Sequence, residues 1–323
     1  MATGQGGAGV RRERVDASRA GQRIDNYLLG RLKGVPRSRV YRLLRRGEVR
    51  VNGRRAAPSY RLQAGDELRI PPVRTGEAGP SPRPGERLLR RLEAAVLYED
   101  REVLVVDKPA GVPVHGGSGL SHGVIDALRL LRPGEPLELV HRLDRDTSGC
   151  LVVARRRSAL RHLHRALRKG RVEKAYLALV RGRWAEEVVV DAPLLRRVLP
   201  SGERLVRVDQ AGKEARTRFR PLRRYRSGAW EATLVEAAPL TGRTHQIRVH
   251  ARHAGHPIAG DPRYGDPAFD RHLAGLGAGL GLRRLFLHAA RIAFALPSGR
   301  RVAVEAPLEG RLATLLEALE EAS

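Results

Sequence analysis

The sequence predicts an α+β protein of two domains, in which the larger domain is built on a mixed, mainly antiparallel sheet. With 323 residues, the chain is long enough for two domains that each bury a core. After about residue 95, short β-like runs outnumber the few, irregularly placed helical stretches, which disfavours a doubly wound α/β fold. A segment dense in Pro and Gly, residues 71–86, separates these runs from a smaller amino-terminal unit.

The amino-terminal part predicts a basic tail followed by a small α+β unit. Residues 1–20 combine Gly, Arg and Ala without apolar periodicity, which is typical of a flexible tail. Residues 21–70 form the unit, and its predicted elements are helices at 24–32 and 40–44, a stop at Gly47, a strand at 49–51, a turn at Asn52-Gly53 and a strand at 66–70. Residues 71–94 are assigned to a linker and residues 95–323 to the large domain.

The elements of the large domain follow from alternating and apolar runs. The predicted strands are 102–106, 150–153, 175–180, 204–208, 215–219, 230–235 and 292–295. The predicted helices lie near 123–132, 157–169, 243–254 and 307–321. The Gly-rich stretch at 274–281 follows no predicted strand and does not match the GxGxxG loop, so we expect no nucleotide cofactor.

Positive charge dominates the composition. The 61 Lys and Arg residues outnumber the 35 Asp and Glu residues, giving a formal net charge of +26. Half of this excess lies in the first 90 residues. A GC-rich genome explains the preference for Arg over Lys, but it does not explain why cations outnumber anions. We therefore expect a polyanionic partner such as nucleic acid.

Cysteine content and the lack of long apolar runs indicate a cytoplasmic protein. Cys150 is the single cysteine, so an internal disulfide and a cysteine-based zinc site are both excluded. The first residues contain no apolar core of a secretory signal. No run approaches the ~18 apolar residues that a membrane span needs, and we expect no membrane association.

The densest polar cluster is VHRLDRDTSGCLVVA, residues 140–154, which combines charged groups with a turn in front of an apolar strand. Catalytic groups are often carried on loops between rigid strands, which makes Asp144 a candidate. The alternative is a capped turn in which Asp146 and its neighbours satisfy backbone amides. The string DTSG also occurs in aspartic proteases, but that site needs two aspartates from two copies, and no second copy exists here.

A second cluster, residues 239–266, combines a turn with a predicted helix. After Thr241-Gly242, the helix would place Thr244 and Arg248 on one face because they are four residues apart. Four histidines lie nearby, but their spacing gives no HExxH and no carboxylate at ligand spacing. We therefore expect structural or RNA-contacting histidines and no metal.

The third candidate is Tyr176, in the alternating run RVEKAYLALVRG at residues 171–182. From the pattern alone, a tyrosine in a strand is more often a packing residue than a catalytic one. The sequence pattern therefore leaves its role open.

Four motifs together resemble one enzyme family. They are HRLDRDTSG, KAYLALVRG, LTGRTHQIRVHARHAGHPIAGDPRYGD and LFLHAARI, and the resemblance covers about residues 95–310. Their order and spacing resemble those of the pseudouridine synthases of the ribosomal large subunit type A group. The amino-terminal unit resembles an S4 RNA-binding module through RIDNYLLGRL, VPRSRVYRLLRRGEVRVNG and LQAGDELRI.

The resemblance implies the pseudouridine synthase fold and the isomerisation of specific uridines in large-subunit (23S) ribosomal RNA. Asp144 would be the essential group that breaks the bond between ribose C1′ and uracil N1, acting as a nucleophile on C1′ or as a base at C2′. Arg248 would favour its ionised form and orient it. Tyr176 would stack on the uracil and relay the proton that leaves C5. This chemistry needs no metal and no other cofactor.

RNA recognition is assigned to residues of both domains. The target uridine must leave the stack, and Arg142 is expected to take the vacated position, with a plain phosphate contact as the alternative. His141 and Arg243 are further expected RNA contacts. In the S4-like unit, the expected contacts are Arg37, Arg39, Arg42, Arg45, Arg46 and Arg50. We expect a monomer that requires no obligatory protein partner.

Three alternative functions differ from this interpretation, either in the RNA substrate or in the class of protein. A related synthase would act on other uridines of ribosomal or transfer RNA. A catalytically silent S4-type factor would bind RNA alone, but a degenerate relative would be expected to lack at least one of Asp144, Tyr176 and Arg248. A metal-dependent nuclease would need an acidic cluster to hold magnesium, and the sequence shows none.

Overall fold

The computed structural model describes residues 9–32, 35, 37–73, 84–116, 122–198, 204–276, 282, 284–308 and 310–322. The chain divides into two compact units, Met1–Pro82 and Arg83–Ser323. Within the described residues, none of the helices combines the length and apolar character that crossing a membrane requires.

The amino-terminal unit is a four-stranded sheet with two helices, as counted over its described residues. Its elements are β1 (Arg11–Arg14), a 3-10 turn (Ala17–Arg19), α1 (Ile24–Arg31), α2 (Arg37–Arg46), β2 (Arg50–Val51), β3 (Arg54–Arg55) and β4 (Glu67–Ile70). The strand order is β1-β4-β2-β3. Asn52 and Gly53 both have positive φ, 49° and 76°, which is the geometry of the tight hairpin turn predicted there.

Strand β1 corrects the prediction of a flexible tail over residues 1–20. Arg11–Arg14 pair antiparallel with β4, and Val15 is buried in the core of this unit. The tail prediction is therefore wrong for residues 11–20, and residues 1–8 lie outside the described part. An exposed edge strand shows no apolar alternation, because most of its side chains face solvent.

The carboxy-terminal unit contains the remaining elements. They are α3 (Glu86–Ala94), β5 (Val96–Glu99), β6 (Val103–Lys108), α4 (Val124–Leu131), β7 (Glu138–Leu139), β8 (Ser148–Ala154), α5 (Arg157–Arg168), β9 (Glu173–Arg181), β10 (Val188–Asp191), β11 (Leu194–Val198), β12 (Arg204–Val208), β13 (Arg216–Ser227), β14 (Trp230–Pro239), α6 (Gln246–His253), α7 (Pro267–Gly275), β15 (Leu287–Ala295), β16 (Arg301–Glu305) and α8 (Gly310–Glu321).

One mixed sheet runs through this unit and confirms the predicted α+β class. Its order is β10-β13-β14-β9-β15-β8-β6-β5, while β16 pairs with β15 and β7 with β8. In the described part of the chain, the pairing of β8 with β15 is parallel and the other strand pairs are antiparallel. The strands β11 and β12 form a separate hairpin.

Strands β6 and β8 carry apolar residues on both faces because helices cover both sides of the sheet. Val105 and Val152 pack in a core that includes α5 residues, whereas Val106 and Val153 pack in a core that includes α4 residues. This arrangement explains why the run at Cys150–Ala154 is continuously apolar instead of alternating.

Helix α3 corrects the carboxy-terminal boundary of the predicted linker, residues 71–94. Leu92 of α3 is fully buried in the same core as α4, so residues 86–94 belong to the large unit. The linker prediction is therefore wrong there, and residues 74–83 lie outside the described part. Arg and Glu residues cover the exposed faces of this helix. Its apolar stripe is therefore narrow, and the sequence does not show a clear helical pattern.

Candidate active site

A cleft of about 1010 Å³ lies in the carboxy-terminal unit. Its lining comes from the loop before β8, the start of β9, the end of β14 and the start of α6. The lining includes every residue that the sequence predicts as catalytic or RNA-binding in this unit: His141, Arg142, Asp144, Tyr176, Arg243 and Arg248. This volume is at the upper end of the ~300–1,000 Å³ range of small-molecule sites.

The loop that carries Asp144 is held from the core side by a buried lysine. The Lys108 ammonium donates to the carbonyl oxygens of Pro109, Val112 and Arg145 at 2.8, 2.8 and 3.0 Å. The Gly111 amide donates to the same Arg145 carbonyl at 2.9 Å. Because a buried ammonium must keep its acceptors, these bonds fix the backbone beside Asp144.

Gly149 allows the end of this loop to approach β15 closely. Its φ is +105°, and a Cβ at this position would lie 2.3 Å from the carbonyl oxygen of Ala289. The two residues face each other in the parallel pairing of β8 and β15. A larger residue at 149 would therefore displace the loop from the sheet.

The Asp144 carboxylate has two basic neighbours in the cleft. Arg248 donates from Nη1 to Oδ2 at 3.3 Å, and His245 Nε2 lies 3.8 Å from the same oxygen. The Asp144 side chain keeps 21% of its surface exposed, whereas that of Arg248 keeps 6%. The carboxylate therefore faces the cleft, and the guanidinium lies behind it.

Arg248 is itself fixed by a second carboxylate, Asp261. Its Nε and Nη2 donate to the two Asp261 oxygens, both at 2.7 Å, in a bidentate ion pair. The buried Asp261 also accepts the backbone N–H groups of Arg263 and Tyr264. Burial opposes the charge of Asp261, but the Arg248 pair and these amides outweigh it and keep the carboxyl pKa below its usual range.

Tyr176 lies on β9, half-buried against two hydrophobic cores, and lines the cleft. Burial, and after it the negative charge of Asp144, raises the pKa of its phenol well above the ordinary value of 10.0. The hydroxyl is therefore protonated at neutral pH. Tyr176 and Asp144 both line the cleft.

Helix α6 begins later than predicted. It starts at Gln246, and the residue before it, His245, has a left-handed backbone with φ 53°. Thr244 therefore lies outside the helix, and the prediction that it shares a helical face with Arg248 is wrong. The Gln246 side chain accepts from the Thr241 hydroxyl at 2.7 Å and from the Arg243 amide at 3.0 Å, which fixes the preceding turn.

The predicted RNA contacts in this unit differ in their surroundings. His141 Nε2 accepts the Val152 amide at 3.1 Å, and burial together with the charge of Lys174 lowers its pKa to about 4, so it is neutral. Arg142 is exposed at the cleft. Arg243 is also exposed, and its Nε donates to the Glu214 carbonyl at 2.9 Å.

The other histidines of the second cluster do not form a metal site. His250 is fully buried between the Thr217 hydroxyl and the Ala192 carbonyl, both at 2.9 Å, which is a structural role. His256 bonds to the Arg181 carbonyl. Across the described ranges, three or more potential metal ligands nowhere group together.

The predicted contacts of the amino-terminal unit lie on and after helix α2. Arg42, Arg45 and Arg46 are exposed on the helix and Arg39 is half-buried, while Arg50 is exposed on β2. Arg37 begins the helix, and its side chain lies outside the described part. These side chains give the unit a basic surface.

Three residues that support Asp144 do not stand out in the sequence: Lys108, Asp261 and Tyr264. Asp261 follows Arg248 by thirteen residues and lies beyond the end of α6, so no helical or strand periodicity connects the two. Asp261 and Arg248 lie in the same sequence motif, residues 239–266. The sequence shows a carboxylate in this motif, but it does not show that Arg248 is its partner.

Comparison with family models gives two matches. Residues 102–253 match the family described as RNA pseudouridylate synthase, and residues 22–68 match the S4 domain. The first range contains the loop with Asp144, Tyr176 and Arg248, and the second contains helix α2.

Similar proteins extend over nearly the whole chain. Ribosomal large subunit pseudouridine synthase C of Escherichia coli (strain K12) is 56% identical over 312 residues, which are 95% of this chain and 96% of that protein. The protein of the same name from Salmonella typhimurium is 55% identical over equal shares. Among solved structures, human RNA Pseudouridylate Synthase Domain Containing 4 matches with a TM-score of 0.58 at 28% identity, covering 72% of this chain and 96% of that one.

Proposed function

Because this chain belongs to the RNA pseudouridylate synthase family, we propose that it isomerises specific uridines of large-subunit (23S) ribosomal RNA, with Asp144 as the acting carboxylate. The observation that carries the proposal is the position of Asp144 in the cleft, with Arg248 paired to it and Tyr176 in the lining of the same cleft. Two relatives that align over 95% of the chain carry a ribosomal large-subunit name, which favours this RNA over transfer RNA.

The reaction needs one ionised carboxylate beside the sugar. Asp144 either attacks ribose C1′ or removes a proton from C2′, and either route breaks the bond from C1′ to uracil N1. The uracil then turns and bonds to C1′ through C5, while the C1′–Asp144 bond breaks in the first route or C2′ regains its proton from Asp144 in the second. C5 then loses its proton, and N1 gains one. Arg248 stabilises the negative charge of Asp144 before this step and fixes the direction of its oxygens.

Access to the sugar requires that the uridine leave its stack. Extrusion costs a few kcal/mol, which contacts elsewhere must offset. The exposed Arg142 is two residues from Asp144 and has a planar guanidinium that can stack in the vacated position or pair with phosphate. The basic surface of α2 would add phosphate contacts.

The proposal is tested by tritium release from RNA that carries [5-³H]uridine, since formation of the new bond expels the C5 proton. The protein should release tritium from a large-subunit RNA transcript without an added metal, nucleotide or partner protein. A protein that binds this transcript with high affinity but releases no tritium under any condition would instead be a catalytically silent RNA-binding factor.

Replacing Tyr176 by Phe separates stacking from proton transfer. Tyr176→Phe keeps an aromatic face for the uracil, so RNA affinity should stay within about twofold, while turnover should fall about 100-fold or more because the hydroxyl is lost. Tyr176→Leu should lose both. Single-turnover rates and binding isotherms measure these effects, with Tyr225→Phe, a buried tyrosine outside the cleft lining, as the control. Normal turnover of Tyr176→Phe would remove the proton-relay role.

Neutralising the arginines of α2 should change the salt dependence of binding. If Arg39, Arg42, Arg45 and Arg46 each contact phosphate, replacing all four by Gln lowers the slope of log K against log[salt] by about three, at ~0.7–0.9 per contact. The same four positions changed to Lys keep the charge and should keep the slope. An unchanged slope in the Gln variant would mean that α2 does not contact RNA.

A further inference from the structure

Tyr264 contacts both basic neighbours of the Asp144 carboxylate and the Asp261 carboxylate, although it is not among the residues that line the cleft. Its hydroxyl lies 2.9 Å from His245 Nδ1, and its backbone N–H donates to Asp261 at 3.0 Å. The Arg248 guanidinium lies over its ring, 5.0 Å from the centroid. Tyr264 is thus a common support for His245, Arg248 and Asp261.

The position of the Tyr264 hydroxyl is fixed from the other side by the hairpin of β11 and β12. The Val206 amide on β12 donates to this oxygen at 3.2 Å. When the oxygen accepts from Val206, its own proton is available for His245 Nδ1, and the remaining ring nitrogen, Nε2, faces Asp144 Oδ2 at 3.8 Å. This distance is too long for a hydrogen bond but short enough for a strong electrostatic effect.

The backbone conformation of His245 indicates that contacts with neighbouring groups hold this residue in position. Its φ of 53° is a left-handed conformation that non-glycine residues rarely adopt, and it stands directly at the start of α6. Such a conformation persists where several contacts determine it together. Here the contacts are the start of the helix and the hydroxyl of Tyr264.

We propose that Tyr264 and His245 form a positioning pair, in which the tyrosine hydroxyl holds an uncharged imidazole against the Asp144 carboxylate. The proposal rests on the proposed function of Asp144. An uncharged ring restricts the carboxylate to the orientation that Arg248 sets and leaves its charge free for the sugar. A protonated ring would form an ion pair with Oδ2, the same oxygen that Arg248 contacts, and would reduce the reactivity of the carboxylate.

The electrostatics of the site agree with an uncharged His245 at neutral pH. Burial, opposed in part by Asp144, lowers the pKa of His245 below 6.5, and the charges of Arg248 and Arg263 add to this effect. The titratable and charged groups that face the ring from the adjoining segments are Asp144, Arg248, Asp261, Arg263 and Tyr264.

The pH dependence of the rate follows from this arrangement. His245 takes up a proton as the pH falls through its lowered pKa, so kcat of the wild-type protein should decline on the acid side of the ordinary histidine value of 6.5. In His245→Asn, this decline should move to lower pH, because the titrating ring is gone. In Tyr264→Phe, it should move to higher pH, because the hydroxyl no longer favours the neutral ring.

The experiment measures kcat and KM for the RNA between pH 5 and pH 8. His245→Asn suits the test because asparagine tolerates positive φ. At pH 8, it should lower kcat about tenfold to a hundredfold, the scale of a misplacement of roughly 1 Å, and leave KM within about twofold. The controls are His253→Asn, which changes an exposed histidine at the end of α6, and Tyr225→Phe; both should keep the wild-type profile.

The outcomes distinguish this proposal from the proposed function. Wild-type rates and profiles in both His245→Asn and Tyr264→Phe, alongside an inactive Asp144→Asn, would overturn the positioning pair alone. An active Asp144→Asn would overturn the proposed function itself. If His245→Asn fails to fold, Tyr264→Phe decides the question, because it keeps the ring under Arg248 and must still show the shift to higher pH.

Discussion

Asp144→Asn is expected to abolish pseudouridine formation and to leave RNA binding within about twofold of wild type. The amide has the size of the carboxylate but can neither attack C1′ nor accept the C2′ proton, so the loss should reach about 10⁴-fold, the upper end for acid–base groups. Tritium release from [5-³H]uridine RNA measures the rate, and filter binding measures the affinity.

Asp146→Asn is the matched control for this substitution. Asp146 lies in the same loop but is more exposed, and its Oδ1 pairs with the neighbouring Arg145 at 3.1 Å. It should keep measurable turnover. If Asp144→Asn stays active and Asp146→Asn loses its activity, Asp146 is the catalytic carboxylate of the loop instead of Asp144.

Arg248→Met is expected to lose both activity and stability. The substitution leaves Asp261 buried with 0% exposure and without its bidentate partner, which costs about 3–5 kcal/mol of unfolding free energy. The Asp144 carboxylate loses its guanidinium at the same time, so turnover should fall below detection. Arg252→Met, on the exposed face of the same helix, should change neither quantity beyond about 0.5 kcal/mol.

A double substitution separates the two effects of Arg248. Arg248→Met with Asp261→Asn removes both charges, and it should recover most of the stability while remaining inactive. Urea unfolding followed by tryptophan fluorescence reports on the carboxy-terminal unit alone, because both tryptophans, Trp184 and Trp230, lie in it. If the double variant regains activity as well, Arg248 serves the fold and not the reaction.

The fold class and the residues of the cleft can both be predicted from the sequence, but for different reasons. Strands such as β6 and β8 are visible because both of their faces are buried, which leaves an apolar run. Asp144, Tyr176 and Arg248 are visible because they stand in motifs of a known family. From residue patterns alone, Tyr176 is indistinguishable from a packing residue, and its role stays a prediction.

The features that the sequence does not show depend on contacts between distant segments. The ion pair of Arg248 with Asp261 crosses the end of α6 and a turn, and the Tyr264 hydroxyl meets a backbone amide 58 residues earlier. Neither the ion pair nor the hydrogen bond follows the residue spacing of a helix or a strand, so neither is visible as a pattern in the sequence. Strand β1 and helix α3 are missed for another reason, since charged residues hide their few buried positions.

The decisive measurement for the role of Asp144 is the structure of the Asp144→Asn protein bound to a large-subunit RNA hairpin. We expect one uridine swung out of the RNA into the cleft, with its C1′ beside the residue 144 amide and its base against Tyr176. A uridine that stays stacked in the RNA, or one bound away from residues 144, 176 and 248, would contradict it.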